Sequence, residues 1–249
     1  MLFILPISLF TLANVLLVLT LAVLFTRYLW IVWLSRRDTP VSWVQALKEG
    51  QVSPRVKKLF QRYPDRQRFI AWWLQVERLK RELVPGDFVE LGVYKGDSAA
   101  VLHAMDTGRT LHLFDTFSGF TAADLTVETG EAATYTPDNF ADTSVESVLE
   151  KIGGNNNIII YKGLLPETAA GFHSKVALVN MDLDLYNPTR AGLEIYYPLL
   201  SPGGVIMIHD YNNKWPGLIR AVDEFVKSIP ENLVHFPDRD GTVMIIRNK

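Results

Sequence analysis

Apolar residues follow three different patterns along this chain, and each pattern predicts a different kind of element. The first 26 residues are mostly apolar and carry no charged side chain. Residues 55–83 place apolar side chains at helical spacing among Arg and Lys, which predicts one or two amphipathic helices broken near Pro64. From residue 87 onward, short apolar runs alternate with helical patterns, which predicts strands joined by helices. The chain therefore divides into residues 1–37, 38–83 and 84–249.

The alternating pattern predicts a mostly parallel α/β sheet with helices on both faces. Strands are expected at residues 87–93, 110–114, 157–161, 176–181, 205–208, 233–236 and 242–246. Helices are expected at residues 97–105, 144–152 and 217–228, and one more helix is opened by Asn187 and Pro188 as cap and first-turn pair. The last two strands flank a turn-forming sequence, so the sheet ends in an antiparallel hairpin. Residues 116–140 stay irregular, and a loop of this length is usually functional or mobile.

The N-terminal apolar segment is long enough to cross a membrane. About 20 apolar residues span the core of a bilayer, and residues 1–26 exceed this length. Aromatic and basic residues follow directly, as is typical of a membrane interface on the cytoplasmic side. They are Arg27, Tyr28, Trp30, Trp33, Arg36 and Arg37. The sequence therefore predicts a single-pass membrane anchor with the catalytic part of the chain in the cytoplasm.

Two alternatives stay open for this segment. A cleaved signal peptide has a basic start, a shorter apolar region and a cleavage site between small residues, and none of these features is well matched before Arg27. A hydrophobic helix that packs against another subunit of a homo-oligomer is the second alternative. Residues 38–54 resemble a linker with one short helix, and the basic face of residues 55–83 is expected to be solvated.

Composition excludes several kinds of chemistry. A chain of 249 residues is long enough for one large domain with a full core. The net formal charge of -2 gives no argument for nucleic acid as a partner. Cysteine is absent, which excludes disulfides, thiolate metal ligands and a cysteine nucleophile.

Two acidic strand ends carry the strongest chemical signal. Asp182 and Asp184 follow the fourth predicted strand, and His209 and Asp210 follow the fifth. Ligands of open α/β sheets bind beyond the carboxyl ends of the strands, and neighbouring carboxylates repel each other unless a cation or a proton neutralises them. The pattern predicts a metal site, a proton-transfer site or both, although Asp184 suits a cap or an ion pair equally well.

A glycine-containing loop follows the first strand. Gly92 and Gly96 allow the backbone to approach a ligand closely, and the helix start offers free N–H donors. The motif is not GxGxxG, because Tyr94 stands where the second glycine belongs. Asp115 ends the next strand, where an acid commonly binds ribose hydroxyls. The alternative role of Asp115 is to cap the turn that follows it.

Taken together, these motifs resemble the TylF/MycF (macrocin) O-methyltransferase family of class I S-adenosylmethionine-dependent methyltransferases. The similarity covers about residues 84–247 and leaves the N-terminal span outside. Its blocks are VPGDFVELGVYKG at 84–96, FDTFSGF at 114–120, KG at 162–163, LPET at 165–168, MDLDLY at 181–186, LSPGG at 200–204, HDY at 209–211 and AVDEF at 221–225.

The resemblance implies a Rossmann-like fold and a set of residue roles. The methionine end of S-adenosylmethionine would lie against Glu90, Gly92, Gly96 and Ser98, and its ribose against Asp115. Asp182 and Asp210 would hold a divalent cation, with Mg²⁺ as the first expectation because it takes oxygen ligands. The cation would lower the pKa of the acceptor hydroxyl, and Asp182 would also serve as general base.

His209 departs from the family pattern, in which two consecutive acids usually precede the tyrosine. Imidazole suits Zn, Fe or Mn better than Mg²⁺, so the identity of the metal and the need for one stay open. His209 is a candidate metal ligand, a candidate catalytic base or a packing residue. The other histidines stand alone and are expected to pack, namely His103, His112, His173 and His235.

The sequence thus predicts a membrane-anchored O-methyltransferase that acts on a sugar hydroxyl, of a small molecule or of a lipid-linked, glycolipid-like acceptor. A nicotinamide-dependent oxidoreductase is an alternative, since Asp115 also suits the ribose of NAD. Tyr94 and the paired acids argue against it. A non-catalytic, membrane-associated binding module is a second alternative. The joint presence of four acids argues against it, namely Glu90, Asp115, Asp182 and Asp210.

Overall fold

The computed structural model describes residues 8–37, 39–154 and 156–248, in two compact units that divide after Ser53. The N-terminal unit contains helix α1 (Leu9–Arg37) and helix α2 (Val41–Lys48). Within α1, the 25 residues Leu9–Trp33 have a mean hydropathy of 2.4, and none of them is buried. The first seven residues of the predicted span lie outside the described residues.

The second unit contains two helices before the sheet and an alternation of strands and helices after them. The leading helices are α3 (Pro54–Arg62) and α4 (Arg66–Arg81), so the predicted break near Pro64 is confirmed. The strands are β1 (Asp87–Leu91), β2 (Leu111–Asp115), β3 (Ile158–Lys162), β4 (Val176–Met181), β5 (Leu200–Ile208), β6 (Val234–Phe236) and β7 (Thr242–Ile246). The later helices are α5 (Asp97–Met105), α6 (Ala122–Leu125), α7 (Val145–Ile152), α8 (Tyr186–Leu199) and α9 (Pro216–Val226).

The seven strands form one sheet in the order β3-β2-β1-β4-β5-β7-β6. Strands β1 to β5 are parallel, whereas β7 is antiparallel to β5 and β6 is antiparallel to β7. The predicted α/β class with an antiparallel C-terminal hairpin is confirmed. Leu91 pairs with Met181, and Met181 pairs with Ile208. The residues that follow these three strands therefore emerge side by side at one edge of the sheet.

Helices cover both faces of the sheet. Helices α8 and α9 pack on one face over an apolar core that includes Leu91, Val179 and Ile206. Helices α4 and α5 contact the other face, next to α3 and α7. Because side chains alternate along a strand, Glu90 and Asn180 point to this second face, where they lie buried against α4 and α5.

The start of α8 differs from the prediction. Asn187 and Pro188 lie inside its first turn, and Leu185 is the N-cap residue without a side-chain hydrogen bond. The cap comes instead from the loop, because Glu128 Oε1 accepts a hydrogen bond of 2.7 Å from the backbone N–H of Tyr186. Loop residues 116–140 are also less irregular than expected, since they contain α6 and a 3₁₀ turn at Gly130–Thr134.

Strand β5 is longer than predicted. It begins at Leu200, which pairs with Val176, and the register shifts before Leu178 pairs with Val205. The Pro-Gly-Gly sequence at 202–204 therefore lies within the strand at this irregularity. Such bulges tolerate glycine because the extra residue departs from the regular ladder.

Candidate active site

A cavity of about 320 Å³ lies at the carboxyl edge of the sheet. Its walls come from the ends of the five parallel strands β1 to β5, from the start of α4 and from the loop over residues 116–140. Both motifs singled out in the sequence, the glycine loop and the acidic strand ends, open into this one space. Each predicted site residue lines the cavity except Glu90 and Gly96, which are both buried.

Glu90 belongs to a buried hydrogen-bond network under the glycine loop. Its Oε1 accepts from Ser98 Oγ and, at 3.1 Å, from Asn180 Nδ2. Asn180 Oδ1 accepts in turn from Trp72 Nε1 of α4 at 3.0 Å. The second oxygen of Glu90 is buried and has no hydrogen-bond partner among the residues that the structure describes. Burial raises the pKa of Glu90 to about 8, against the opposing effects of Ser98, Arg68 and Asn180.

Gly92 brings the ends of β1 and β4 into direct contact. Its φ is +80°, and a Cβ at this position would lie 1.9 Å from the backbone oxygen of Asp182. Tyr94 takes a left-handed conformation as well, with φ of 47°. Asp115 stabilises this turn, because its Oδ2 accepts from the N–H groups of Val93 at 2.6 Å and Tyr94 at 2.8 Å. The loop thus achieves a glycine-like bend at Tyr94 without a glycine.

Asp115 caps backbone on two sides. Its Oδ2 binds the N–H groups of Val93 and Tyr94, and its Oδ1 accepts from the N–H of Phe117 at 2.6 Å. The second contact is the turn-capping role that the sequence left open as an alternative. Its carboxylate also lines the cavity. Each carboxylate oxygen has more than one lone pair, so the caps leave room for a ligand hydroxyl.

The strand ends bring Asp182, His209 and Asp210 together. His209 Nδ1 lies 3.2 Å from Asp182 Oδ1 and 3.0 Å from Asp210 Oδ2. Asp184 and Asp210 both adopt left-handed backbone, with φ of 63° and 60°. Aspartate tolerates this region better than most residues, and such strain at a ligand site is maintained by the surrounding structure.

Arg68 adds a fourth charged group that the sequence did not identify. Its Nη2 donates to Asp182 Oδ2 at 2.9 Å, and its side chain is 8 % exposed. The basic face of this segment was expected to be solvated, and for Arg68 that expectation is wrong. Asp182 lies 114 residues away along the chain, so the pattern of α4 alone does not reveal the partner.

The charges in this cluster shift one another's pKa values. Burial would raise the pKa of Asp182, but the charges of Arg68 and His209 and their hydrogen bonds hold it well below its usual range. Burial would lower the pKa of His209, but Asp182 and the contacts with both carboxylates raise it to about 10. Burial and the charges of Asp182 and Asp210 raise the pKa of Asp184 well above its usual range.

The donor atoms fit a divalent cation. One oxygen or nitrogen from each of Asp182, His209 and Asp210 lies within 4.8 Å of the others. His209 Nδ1 lies 3.2 and 3.0 Å from the two carboxylates, which matches the edge of an octahedron with bonds of about 2.1 Å. Cation binding at this nitrogen would require His209 to lose its proton. The mixed nitrogen and oxygen set suits Mn²⁺ or Fe²⁺ as well as Mg²⁺.

Aromatic rings close the side of the cavity that faces the acids. Trp215 stacks on Tyr135 with ring centres 5.0 Å apart, and Phe140 contacts both Phe120 and Tyr94 edge to face. The loop is tied back to the glycine loop through Asp142, which accepts from Tyr94 Oη at 2.7 Å. The rings form an apolar wall next to the charged cluster, which suits a ligand with both apolar and hydroxylated parts.

Tyr63 and Arg68 line the cavity from the segment before the sheet, and no motif in the sequence marks either of them. Both residues precede residue 84, where the family resemblance in the sequence begins. Two isolated histidines, expected to pack, do so. His112 is buried, with Nε2 3.1 Å from Asp87 and Nδ1 3.2 Å from the hydroxyl of Tyr161, and His103 lies 3.1 Å from the backbone oxygen of Asn156.

The sequence profile of the macrocin-O-methyltransferase (TylF) family matches residues 65–242. The chain belongs to this family. The match begins with the N-cap of α4 and so includes Arg68, whereas the helix α1 lies outside it.

Characterised relatives are similar over part of their length. The 8-demethyl-8-(2,3-dimethoxy-alpha-L-rhamnosyl)-tetracenomycin-C 4'-O-methyltransferase of Streptomyces olivaceus is 31 % identical over 148 residues, which are 55 % of this chain and 57 % of that protein. The mycinamicin III 3''-O-methyltransferase of Micromonospora griseorubida is 31 % identical over 153 residues, which are 55 % of this chain and 59 % of that protein. The chain thus spans less than two thirds of the length of these relatives.

A solved structure supports the same fold. The structure of the O-methyltransferase NovP is similar with a TM-score of 0.64 and 28 % identity, over 74 % of this chain and 81 % of that one. The predicted Rossmann-like methyltransferase fold and the predicted family are therefore confirmed.

Proposed function

We propose that this protein is an S-adenosylmethionine-dependent O-methyltransferase that methylates a hydroxyl of a sugar-linked acceptor. One observation carries the proposal: the glycine loop above Glu90 and the cluster of Asp182, His209 and Asp210 open into the same cavity. A methyl donor bound at the glycine loop and an acceptor hydroxyl bound at the cluster would therefore meet within the cavity. The sugar-linked substrates in the names of the two relatives support the acceptor class.

The donor would bind along the glycine loop. The unpartnered Oε2 of Glu90 suits a positively charged amino group, and the first turn of α5 after Gly96 offers N–H donors to a carboxylate. Asp115 suits the ribose hydroxyls at the end of β2. These contacts would leave the sulfonium methyl group facing the ends of β4 and β5.

The acceptor hydroxyl would lie at Asp182. As the bond between the acceptor oxygen and the methyl carbon forms, that oxygen gains positive charge and its proton becomes strongly acidic. A carboxylate of low basicity is then sufficient to take the proton. The bond between sulfur and the methyl carbon breaks, its electron pair stays on sulfur, and the products are a methyl ether and S-adenosylhomocysteine.

A divalent cation at Asp182, His209 and Asp210 is part of the proposal. When bound, it would orient the acceptor hydroxyl and lower the pKa of that group. Asp182 Oδ2 stays with Arg68 in this arrangement, and Oδ1 faces His209. The chain itself supplies the orientation of the three donors through the register of β4 and β5.

A methyl-transfer assay tests the proposal. Purified full-length protein is incubated with labelled S-adenosylmethionine and a panel of rhamnosyl and other deoxysugar conjugates, alongside glycolipid extracts. Methyl transfer would support the proposed activity. Its loss with a chelator and its recovery with added Mg²⁺ or Mn²⁺ would support the role of the cation. Calorimetry with S-adenosylmethionine and with NAD distinguishes the alternatives: tight binding of NAD alone would favour an oxidoreductase, and binding of neither would favour a non-catalytic module.

Glu90 gives a specific prediction for donor binding. Its pKa of about 8 in the free protein means that it is mostly protonated at pH 7. A donor ammonium group favours the ionised carboxylate, so binding should release most of one proton. Calorimetric titrations at pH 7 in buffers of different ionisation enthalpy measure this number. Glu90→Gln is the matched control and should release close to none. Equal proton release by both proteins would contradict a direct role for Glu90.

The membrane location rests on helix α1. Its 25-residue apolar stretch of mean hydropathy 2.4 would be about 38 Å long at 1.5 Å per residue, enough to cross the bilayer core with some tilt. Trp30 and Trp33 stack near its C-terminal end, where aromatic rings suit the interface. An anchor of this kind favours an acceptor held at the membrane, such as a lipid-linked sugar.

Deletion of residues 1–37 tests the anchor. The full-length protein should stay in the pellet after a carbonate wash of membranes, and the truncated protein should be soluble while still binding S-adenosylmethionine. Turnover of a lipid-linked acceptor in vesicles should fall, whereas turnover of a soluble acceptor should not. Release of the full-length protein by carbonate would refute the anchor, and a purified protein that lacks its first residues by mass spectrometry would indicate a cleaved signal peptide.

A further inference from the structure

Arg68 supplies a positive charge of the protein itself next to the negatively charged Asp182. Its guanidinium donates to Asp182 Oδ2 at 2.9 Å, and the side chain is almost fully buried. We propose that Arg68 is a positioning residue that orients Asp182 and, as a permanent counter-charge, lowers the affinity of the Asp182–His209–Asp210 cluster for divalent cations. This inference rests on the proposed function of the same site.

The position of Arg68 is determined by several contacts. Asp65 caps the first turn of α4 and accepts from the backbone N–H of Arg68 at 2.9 Å. The guanidinium lies over the ring of Trp72, 4.7 Å from its centre, and Trp72 is itself held by its hydrogen bond to Asn180. A guanidinium stacked and hydrogen-bonded in this way has little freedom to move.

The two oxygens of Asp182 have different partners. Oδ2 accepts from Arg68, and Oδ1 faces His209 at 3.2 Å. Because one oxygen is occupied by a fixed donor, the other has a defined direction toward the cavity. Loss of the donor would let the carboxylate rotate, and small displacements of a catalytic group reduce turnover strongly.

The charge of Arg68 also affects the cation. A guanidinium stays protonated at all accessible pH values, so one positive charge always lies next to Asp182. At roughly 5 Å, a unit charge and a divalent cation repel each other enough to weaken binding by about tenfold or more, even with the dielectric constant of water. The cluster should therefore bind cations weakly and release them readily.

Three variants of the full-length protein separate position from charge. Arg68→Gln removes both the fixed donor and the charge, and Arg68→Lys keeps the charge but loses the planar fork. Arg66→Gln is the matched control, because Arg66 is exposed on the same helix and packs over Phe60 instead. The measurements are Mn²⁺ affinity by electron paramagnetic resonance of free Mn²⁺, donor affinity by calorimetry, and kcat and KM.

Arg68→Gln should bind Mn²⁺ about tenfold or more tightly than the wild type, while kcat falls by about a hundredfold and donor affinity changes by less than about threefold. Arg68→Lys should keep the wild-type Mn²⁺ affinity and recover part of kcat, and Arg66→Gln should match the wild type throughout. Two results would overturn the proposed role of Arg68 as a counter-charge. One is unchanged or weaker Mn²⁺ binding by Arg68→Gln, and the other is an equal rise in Mn²⁺ affinity in both Arg68 variants. Should no acceptor be methylated by the wild type, the proposed function fails, whereas the Mn²⁺ and donor titrations still decide the role of Arg68.

Discussion

Replacing Asp182 with asparagine should reduce methyl transfer by roughly a thousandfold or more, because the amide neither takes a proton nor binds a cation as a carboxylate does. Arg68 would also lose its charged partner at 2.9 Å. Asp210→Asn should have a similar effect, since Asp210 supplies the second carboxylate next to His209. S-adenosylmethionine should still bind within about threefold of the wild-type affinity, since Glu90 and the glycine loop are unchanged.

Single-turnover methyl transfer and calorimetry with the donor measure these two quantities separately. Asp106→Asn is a suitable control, because Asp106 also pairs with an arginine, Arg109 at 3.1 Å, but does not line the cavity. This control should retain full turnover. Near-normal turnover in both Asp182→Asn and Asp210→Asn would exclude the proposed metal and base roles together.

Gly92→Ala should disrupt the site and lower the free energy of unfolding by about 2–4 kcal/mol. The added Cβ would meet the backbone oxygen of Asp182 at 1.9 Å, in a backbone conformation with φ of +80°. The ends of β1 and β4 would have to separate, which moves Asp182 away from His209. Both donor binding and turnover should be lost, as measured by calorimetry and by the methyl-transfer assay.

Gly171→Ala is the matched control for this change. Gly171 has a similar φ of +87°, but no atom among the described residues lies within 4 Å of its added Cβ. It should therefore show only the backbone strain, about 1 kcal/mol in denaturant unfolding. If both variants lost the same amount of stability and Gly92→Ala kept its turnover, the close contact with Asp182 would have no functional importance.

Much of the sheet could be predicted because its signal is local. Apolar runs bounded by turn residues mark buried strands, and the structure has β4 at Val176–Met181 and α5 at Asp97–Met105, the same bounds as predicted. The acidic strand ends were informative for the same reason. Parallel strands end at one edge, so residues that follow two neighbouring strands must lie close together.

Contacts between residues far apart in the chain could not be predicted from the sequence. Arg68 looks like any basic residue of an amphipathic helix, and only its pairing with Asp182 distinguishes it. The cap of α8 is another case, because Asn187 has the usual sequence signature, yet Glu128 provides the acceptor from the loop. Tyr94 is a third case. A side chain at this position argues against a tight turn, yet the turn forms because Asp115 accepts a hydrogen bond from the N–H of Tyr94.

The pairing of β4 with β5 has a consequence for how sequences of this kind can diverge. Met181 pairs with Ile208, one residue before Asp182 and His209. Removal of one residue from either strand would turn the residues beyond it to the opposite face. Asp182 and His209 would then no longer meet, whatever their identity. Insertions and deletions should accordingly be tolerated in the loop over residues 116–140 and be nearly absent from these two strands. Loop length should then vary between relatives that act on different acceptors, whereas the lengths of β4 and β5 should stay constant.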